Sequence, residues 1–305
     1  MKRLLYASLL TVALTTSAVA DNIQIDQTFT KTQQWLSREN LALTGSPSAR
    51  DDLAAFSQDA LLFYGEGVGN PEHRTPAQRE LMAKRAAEIT AKRQVVEYME
   101  GFALVGDTLV KDGMTQYDVV RSAVIGFVKG VQVVFQEYDK DKDMAIAIVK
   151  VGLHGPKGYA SLLYEKLLSD PKLKQQIVSD KPQFKGKPAP LSEKFDGLVI
   201  DATDQDFRPA LINRIFTPKG EILYDPARIS QKVLVEQGCG EYTNSIDKAK
   251  AALATRGVKN PLVVKAAGSV SKADLKVTDE DAVAIFTANQ QNGFLAGAKV
   301  AFVLK

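Results

Sequence analysis

The fold of the first half of the chain is decided by residues 75–100, which read TPAQRELMAKRAAEITAKRQVVEYME. Thr75 is a capping residue, Pro76 takes the first helical position, and Gln78 lies three residues after the cap. Good helix formers fill the rest of the segment, and Gly101 ends it. The apolar residues that recur at helical spacing are Met82, Ala86, Ile89 and Val96. This pattern predicts a long helix with one apolar face for a sheet.

The residues after this helix predict the sheet that it covers. Residues 127–138 and 144–153 are rich in Val, Ile and Phe, and the charged stretch 139–143 between them indicates a hairpin. One long helix on a small antiparallel sheet is the economical arrangement for residues 75–155.

Shorter elements are predicted around this helix and hairpin. A strand is predicted over residues 102–110, and a second capping pattern at Thr115 opens a shorter helix. Upstream, Ser48 is a candidate cap for a helix over residues 49–62. The glycine-rich run 65–71 that follows is typical of a flexible connector.

The second half of the chain alternates between strand and helix patterns. Residues 158–179 are predicted to be helical with a break at Asp170 and Pro171, and residues 181–194 have the proline and lysine content of an extended spacer. Strands are predicted at 198–200, 210–216, 221–224, 262–266 and 298–304, with a turn at 217–220, a short apolar strand run at 233–235 and helices after Asn244 or Ser245 and after Thr278.

These patterns predict an α+β protein. The first domain has a helix packed on a small antiparallel sheet, and a second α/β layer domain follows a Pro/Lys-rich linker. The predicted divisions are a signal peptide (1–20), an irregular or helical N-terminal segment (21–74), the helix-on-sheet domain (75–180), the linker (181–194) and the C-terminal α/β domain (195–305).

The first twenty residues have the pattern of a cleavable export signal. Lys2 and Arg3 precede a mostly apolar run over residues 4–14, and the segment 18–20 supplies the small residues that a signal peptidase reads. The apolar run is shorter than the roughly 20 residues of a membrane-spanning helix. We therefore expect cleavage after Ala20 and a periplasmic mature protein without a transmembrane segment, held at the outer membrane only through partners.

The charge balance argues against two classes of partner. Removing Lys2 and Arg3 from the 39 basic residues leaves 37 against 36 acidic ones, a net charge of +1. A near-neutral chain with interspersed charges lacks the basic footprint of a nucleic-acid-binding protein and the polybasic patch of a membrane-surface protein. We expect no nucleic acid among its partners.

Two groups of aspartates are the first candidates for chemistry. Counted from Asp139, the acidic run 139–143 has Met144 and Lys150 where a calcium-binding EF-hand needs glycine and glutamate, so a solvated hairpin tip is predicted. The second group, which follows a predicted buried strand, consists of Asp201, Asp204 and Asp206. Paired carboxylates can serve acid–base chemistry or Mg²⁺, but no neighbouring motif completes a mechanism, and such residues also form ordinary turns.

Histidine and cysteine are scarce. His73 and His154 are isolated, and with the single Cys239 they make no zinc pattern. Cys239 is flanked by glycines, which leaves an accessible thiol as one interpretation and a small buried residue at a strand end as the other. We predict no catalytic, cofactor-binding or metal-ligating residue, and therefore no enzyme.

Two further stretches carry a family resemblance. KRAAEITAKRQ at residues 84–94, with Gly101 and GFVKGVQVV at residues 126–134, resembles the LPP-type small outer-membrane lipoprotein family, which includes FlgP-like flagellar proteins. A similar helix-on-sheet module occurs in the periplasmic flagellar T-ring protein. The segments FDGLVIDA (195–202) and RPAL (208–211) resemble C-terminal regions of uncharacterised exported proteins that carry the same module. This chain lacks the family's lipid-bearing cysteine near the cleavage site.

The resemblance implies an envelope assembly or scaffold component without catalytic residues. The function predicted is therefore that of a non-catalytic periplasmic structural or assembly protein of the bacterial envelope, related to the flagellar outer-membrane rings, with envelope proteins or further copies of itself as partners. The alternative is a periplasmic protein that binds a small ligand or cell-wall fragment in the crevice between the two domains. A hydrolase is a distant third.

Overall fold

The computed structural model describes residues 25–45, 50–72, 75–110, 112, 118–155, 157–171, 174 and 177–305. The predicted signal peptide, the Ser48 cap, His73 and the Thr115 cap lie outside these residues. Helices run over α1 (Thr30–Glu39), α2 (Asp52–Ser57), α3 (Pro76–Glu100), α4 (Asp118–Lys129), α5 (Tyr159–Ser169), α6 (Gln231–Gln237), α7 (Ile246–Thr255) and α8 (Asp279–Asn292).

Strands of the first half are β1 (Ala60–Val68), β2 (Ala103–Val105), β3 (Thr108–Leu109), β4 (Gln132–Asp139) and β5 (Met144–Gly152). Those of the second half are β6 (Gly197–Asp201), β7 (Arg214–Phe216), β8 (Ile222–Tyr224), β9 (Glu241–Thr243), β10 (Pro261–Lys265), β11 (Gly268–Ser271), β12 (Asp274–Lys276) and β13 (Val300–Val303). This mixture confirms the predicted α+β class.

The first half is a three-stranded antiparallel sheet of order β1-β5-β4 with α3 on one face. The predicted helix is confirmed, and the Thr75 hydroxyl accepts a hydrogen bond from the Gln78 amide at 3.2 Å. The predicted hairpin is confirmed as β4 and β5. Its first strand begins later than predicted, because Phe127 and Val128 belong to α4. The strand predicted over 102–110 is the short hairpin β2-β3.

The other face of this sheet is covered by the N-terminal segment. Phe29 and Ile25 are buried against Ile146, and the Trp35 ring stacks on Phe135 with ring centroids 5.3 Å apart. The Glu137 carboxylate accepts hydrogen bonds from the backbone amide (2.8 Å) and hydroxyl (2.7 Å) of Thr32 in α1. The sheet is therefore packed between α1 and α3.

Strand β1 overturns two predictions. The helix predicted over 49–62 is limited to α2, which Asp51 caps by accepting from the Ala54 amide at 2.8 Å. The predicted connector at 65–71 begins inside β1, where Gly65 and Gly67 face α3. A Cβ built on either glycine would overlap backbone atoms of α3 at Ala87. These glycines are needed for close packing and not for flexibility.

The second half contains a parallel sheet of order β10-β6-β13-β9 and a mixed sheet of order β11-β12-β7-β8. The β7-β8 hairpin and its turn are confirmed, with Gly220 at φ +81°. The caps of α7 and α8 are confirmed, since Ser245 accepts from the Lys248 amide and Thr278 from the Asp281 amide. The strand predicted at 233–235 is wrong, because these residues lie in α6.

The two halves share one apolar core. The largest buried cluster runs without a break from Ala55 to Leu304. At the junction, the Phe56 ring lies 4.6 Å from the Tyr242 ring, measured between centroids, and the Tyr164 hydroxyl of α5 donates to the Leu211 carbonyl. Side chains from both halves therefore fill the region where they meet.

A buried carboxylate strengthens this junction. The side chain of Asp225 is only 1% exposed and pairs with Arg214 at 3.3 Å and Arg228 at 3.4 Å. Arg214 also donates to the Ile177 carbonyl, and Arg228 donates to the Ser179 carbonyl at 2.7 Å. The three side chains hold the start of the linker against the second half.

The predicted linker is extended and lies on the second half. The Phe184 amide donates to the Ile222 carbonyl at 2.8 Å, and the Ala189 amide donates to the Thr287 hydroxyl at 3.1 Å. The Lys194 carbonyl accepts from the Asn260 side chain at 2.9 Å. Contacts at both ends and in the middle therefore fix its path.

Candidate interaction surface

The outward face of α3 carries three exposed, large apolar side chains. Leu81 is 67% exposed, Met82 42% and Ile89 52%. The inner face is formed by a different set, namely Ala83, Ala87, Ala91 and Val95. The prediction that the Met82 and Ile89 stripe packs on the sheet is therefore wrong. Only small side chains fit where the helix backbone touches glycines of β1, so the larger apolar residues point outward.

Two of the cationic side chains on α3 form intrahelical ion pairs, and two others do not. Lys84 pairs with Glu80 at 2.6 Å and Lys92 pairs with Glu88 at 2.7 Å, one helical turn apart. Arg85 and Arg93 lie beside Ile89 and form no ion pair with any residue that the structure describes. The stripe of Leu81, Met82, Arg85, Ile89 and Arg93, called here the α3 stripe, is thus apolar and cationic.

Strand β4 adds an open edge to the same module. Among the described residues, β4 pairs with β5 alone, so its outer edge has no strand partner. A β-bulge falls between Val133 and Phe135, and Val134 at the bulge is 40% exposed. Bulges at an edge disrupt regular pairing with a neighbouring chain. The outer edge of β4 is therefore open to pairing with another strand, but the bulge makes regular pairing less favourable.

The bulge also corrects the expected placement of two glutamines. Gln132 and Gln136 are four residues apart and are expected on one face of the strand. The structure pairs Gln132 with Lys150 and Gln136 with Ala147, which lie on opposite faces of β5. The extra residue in the bulge shifts the alternation by one, so the expectation is wrong.

The acidic hairpin tip is bound to its surroundings more firmly than a solvated turn. Asp143 pairs with Arg79 of α3 at 3.1 Å and accepts a hydrogen bond from the Tyr138 hydroxyl. Asp139 accepts from the Asp141 amide at 2.9 Å, whereas the Asp141 side chain is exposed. Within the described ranges, no group of three or more His, Cys, Asp or Glu side chains is placed to hold a metal ion.

We expect Asp143→Asn to lower the free energy of unfolding by about 0.5–1.5 kcal/mol, because a charged pair and a hydrogen bond are weakened. Asparagine tolerates the positive φ of +52° at this position, so the backbone should be retained. The matched variant Asp141→Asn should be neutral in urea denaturation. Neither variant should respond to calcium, and a calcium-dependent rise in melting temperature that Asp143→Asn abolishes would restore the metal interpretation.

The second group of aspartates forms a turn. Asp201 accepts from the Thr203 amide at 3.1 Å and from its hydroxyl at 2.7 Å. Asp204 pairs with Lys265 at 2.5 Å, and the largely exposed Asp206 lies 3.7 Å from Lys272. The structure does not bring these three carboxylates together with a nucleophile or a histidine.

His154 and Cys239 occupy the junction between the halves. The His154 Nδ1 lies 2.5 Å from an Asp59 carboxylate oxygen, and its ring packs against Gly238. Cys239 is 2% exposed, with its Sγ 3.0 Å from the Tyr242 hydroxyl. Burial raises the pKa of the Cys239 thiol, which keeps it protonated and unreactive. The interpretation of Cys239 as a small buried residue is confirmed, although it follows a helix and not a strand.

A buried acid that sequence reasoning missed lies in the mixed sheet. Asp274 is 6% exposed and accepts from the Arg214 amide at 3.0 Å and from the Ser271 hydroxyl at 3.1 Å. Burial raises its pKa above the ordinary value for aspartate. The sequence signal that could have indicated a structural role is its position three residues after Ser271, next to the alternating residues Leu275 and Val277.

The raised pKa predicts a pH-dependent effect of Asp274→Asn. The stability linked to a group with a raised folded-state pKa is present below its unfolded pKa of about 3.9 and is lost as pH rises through the folded value. The variant lacks this titration. Its unfolding free energy minus that of the wild type should therefore be more positive at pH 7 than at pH 4, as measured by urea denaturation. A difference that stays flat or falls with pH would contradict this assignment.

A known family matches the second half of the chain. The family described as Treponema pallidum Tp0624, second domain, matches residues 197–305. This range begins at β6 and agrees with the indication of a second domain after the linker. Among curated proteins, none matches this chain. No helix in the described part of the chain is long and apolar enough to cross a bilayer.

Proposed function

We propose that this chain is a non-catalytic structural or assembly protein of the bacterial cell envelope. It is exported to the periplasm, associates with the outer membrane through other proteins, and is of the kind that builds the flagellar outer-membrane rings. The export pattern in residues 1–20 and the resemblance of residues 76–155 to the LPP-type and FlgP-like modules support this proposal.

The observation that carries the proposal is the α3 stripe. Scattered single apolar residues on a surface are ordinary, but Leu81, Met82 and Ile89 lie on one helix that is held rigidly by its alanine face. A rigid surface loses little conformational entropy when it docks. Arg85 and Arg93, which have no ion-pair partner in the described part of the chain, favour a partner surface with an acidic rim.

The residue types that could have performed catalysis have structural roles, which also supports the proposal. Asp201 and Asp143 stabilise turns, His154 packs at the junction and Cys239 is buried. The alternative, a binding protein with a ligand crevice between the domains, is less favoured at that position, because the shared core fills the junction.

The double variant Met82→Lys/Ile89→Lys tests the assembly role. Both positions are exposed and lysine is a good helix former, so the fold should be retained. Association with itself or with envelope proteins should weaken by about tenfold or more, because two apolar anchors are lost. Sedimentation velocity and capture from envelope extracts measure the change.

Val270→Lys is the matched control, since Val270 is 58% exposed but lies on β11 in the second half. It should associate like the wild type. A wild-type chain that stays monomeric at micromolar concentration and captures no envelope protein would refute the assembly role.

A further inference from the structure

A groove opens between the linker and helix α8. Its walls are residues 183–185 of the linker on one side and the last turns of α8 on the other, and its volume is about 320 Å³. Ile222, Leu223 and Leu295 contribute its apolar floor. Small-molecule sites begin at roughly 300 Å³, so the groove accommodates one or two sugar-sized rings.

Two aromatic rings line this groove. Phe184 and Phe286 meet edge to face, with centroids 5.6 Å apart and an interplanar angle of 84°. Both side chains are partly buried, so each ring is only partly exposed. The backbone of Phe184 is fixed by its hydrogen bond to Ile222, and its ring is held by the edge-to-face contact with Phe286. Partly exposed aromatic faces are suited to the C–H surface of a pyranose ring.

The rings are surrounded by polar side chains that retain hydrogen-bonding groups for a ligand. The Asn289 Oδ1 accepts from the Leu295 amide at 2.9 Å, which leaves the amide donors of this side chain for a ligand. Gln183 and Gln290 are exposed, and Lys185 forms no ion pair with any residue that the structure describes. Amides bind sugar hydroxyl and acetamido groups, and an ammonium group binds a carboxylate.

We propose that this groove binds an acidic saccharide, a pyranose unit that carries a carboxylate. The aromatic rings contact the apolar face of the sugar, Asn289 and Gln290 bind its hydroxyl or acetamido groups, and Lys185 pairs with the carboxylate. N-acetylmuramic acid, an amino sugar of the bacterial cell wall, has this chemistry. This inference goes beyond the assembly role and does not depend on association through the α3 stripe.

The test is a titration of the full-length chain, followed by backbone NMR, with two probes. One is the disaccharide of N-acetylglucosamine and N-acetylmuramic acid, which carries a carboxylate, and the other is neutral chitobiose. The acidic disaccharide should bind about two- to fivefold more tightly, the contribution of one exposed charge pair. Lys185→Gln should remove that difference and leave chitobiose binding unchanged.

Phe286→Leu should weaken both probes by about tenfold, because an aromatic contact is lost while an apolar side chain is kept. Lys250→Gln, on the exposed side of α7, is the control and should change nothing. The proposal is overturned if millimolar sugar shifts no resonance of the groove residues, if the two probes bind equally, or if Phe286→Leu binds both as the wild type does.

Discussion

Gly65→Val should lower the free energy of unfolding by at least about 3 kcal/mol, the upper end for overpacking of a core. A side chain at this position would overlap the backbone of α3 at Ala87 and Ala91. Backbone atoms cannot move aside as the end of a flexible side chain can, so the helix must separate from β1. Circular dichroism and urea denaturation of the purified chain measure the loss.

Gly126→Ala is the matched control. Gly126 lies in α4 and is exposed, with nothing within 4 Å of an added Cβ. Alanine should raise stability there by about 0.5–1 kcal/mol, because glycine is unfavourable inside a helix. A Gly65→Val protein that unfolds at the wild-type urea concentration would show that α3 and β1 do not pack as closely as described.

Asp225→Ala should lower the free energy of unfolding by about 3–5 kcal/mol, since it removes the carboxylate at the centre of a buried charge cluster and takes away the ion-pair partner of Arg214. The loss should be accompanied by faster tryptic cleavage after Lys185, because Arg214 and Arg228 would no longer hold the start of the linker. Urea denaturation and limited trypsin digestion measure the two effects.

Asp206→Ala provides the comparison for this prediction. Its side chain is 85% exposed and lies 3.7 Å from Lys272, so its removal should change stability by no more than about 0.5 kcal/mol. If Asp225→Ala is as mild as Asp206→Ala and leaves the trypsin pattern unchanged, the buried cluster does not stabilise the junction.

The elements that sequence reasoning predicts correctly are those whose cause is local. Thr75 and Pro76 set the start of α3, Ser245 and Thr278 cap their helices, and Gly220 closes a turn that needs positive φ. Each of these features acts within a few residues of its own position. The local sequence therefore contains all the residues that determine these elements.

The errors arise where the cause is distant in the chain. From the local sequence alone, Gly65 and Gly67 are predicted to lie in a flexible connector. The helix that requires them lies some twenty residues further along the chain. The bulge in β4 changes the faces of Gln132 and Gln136 without leaving a local mark. On α3, the larger apolar residues Met82 and Ile89 suggest a core-facing side. The true inner face is the neighbouring series of alanines, which a count of large apolar residues overlooks.

The apolar residues of the α3 stripe are visible in the sequence, but their spacing predicts a buried environment and the structure exposes them. Met82 and Ile89 are the residues whose spacing predicts α3, and the same residues remain at the surface. The groove beside Phe184 could not be predicted, because Phe286 meets it across about a hundred intervening residues. A proline-rich linker gives no sequence indication that it forms one wall of a groove.

The contacts along the linker have a mechanical consequence. A free tether of this composition would let two bodies search a range of separations and angles. Here the linker is fastened at Phe184, Ala189 and Lys194, and the bodies that it joins share one core. The linker therefore acts as a rigid connection between the two halves and not as a flexible tether. A partner bound to the α3 stripe would be held at one distance and one angle from a ligand in the groove, and an assembly of such chains would derive its spacing from the shape of each subunit.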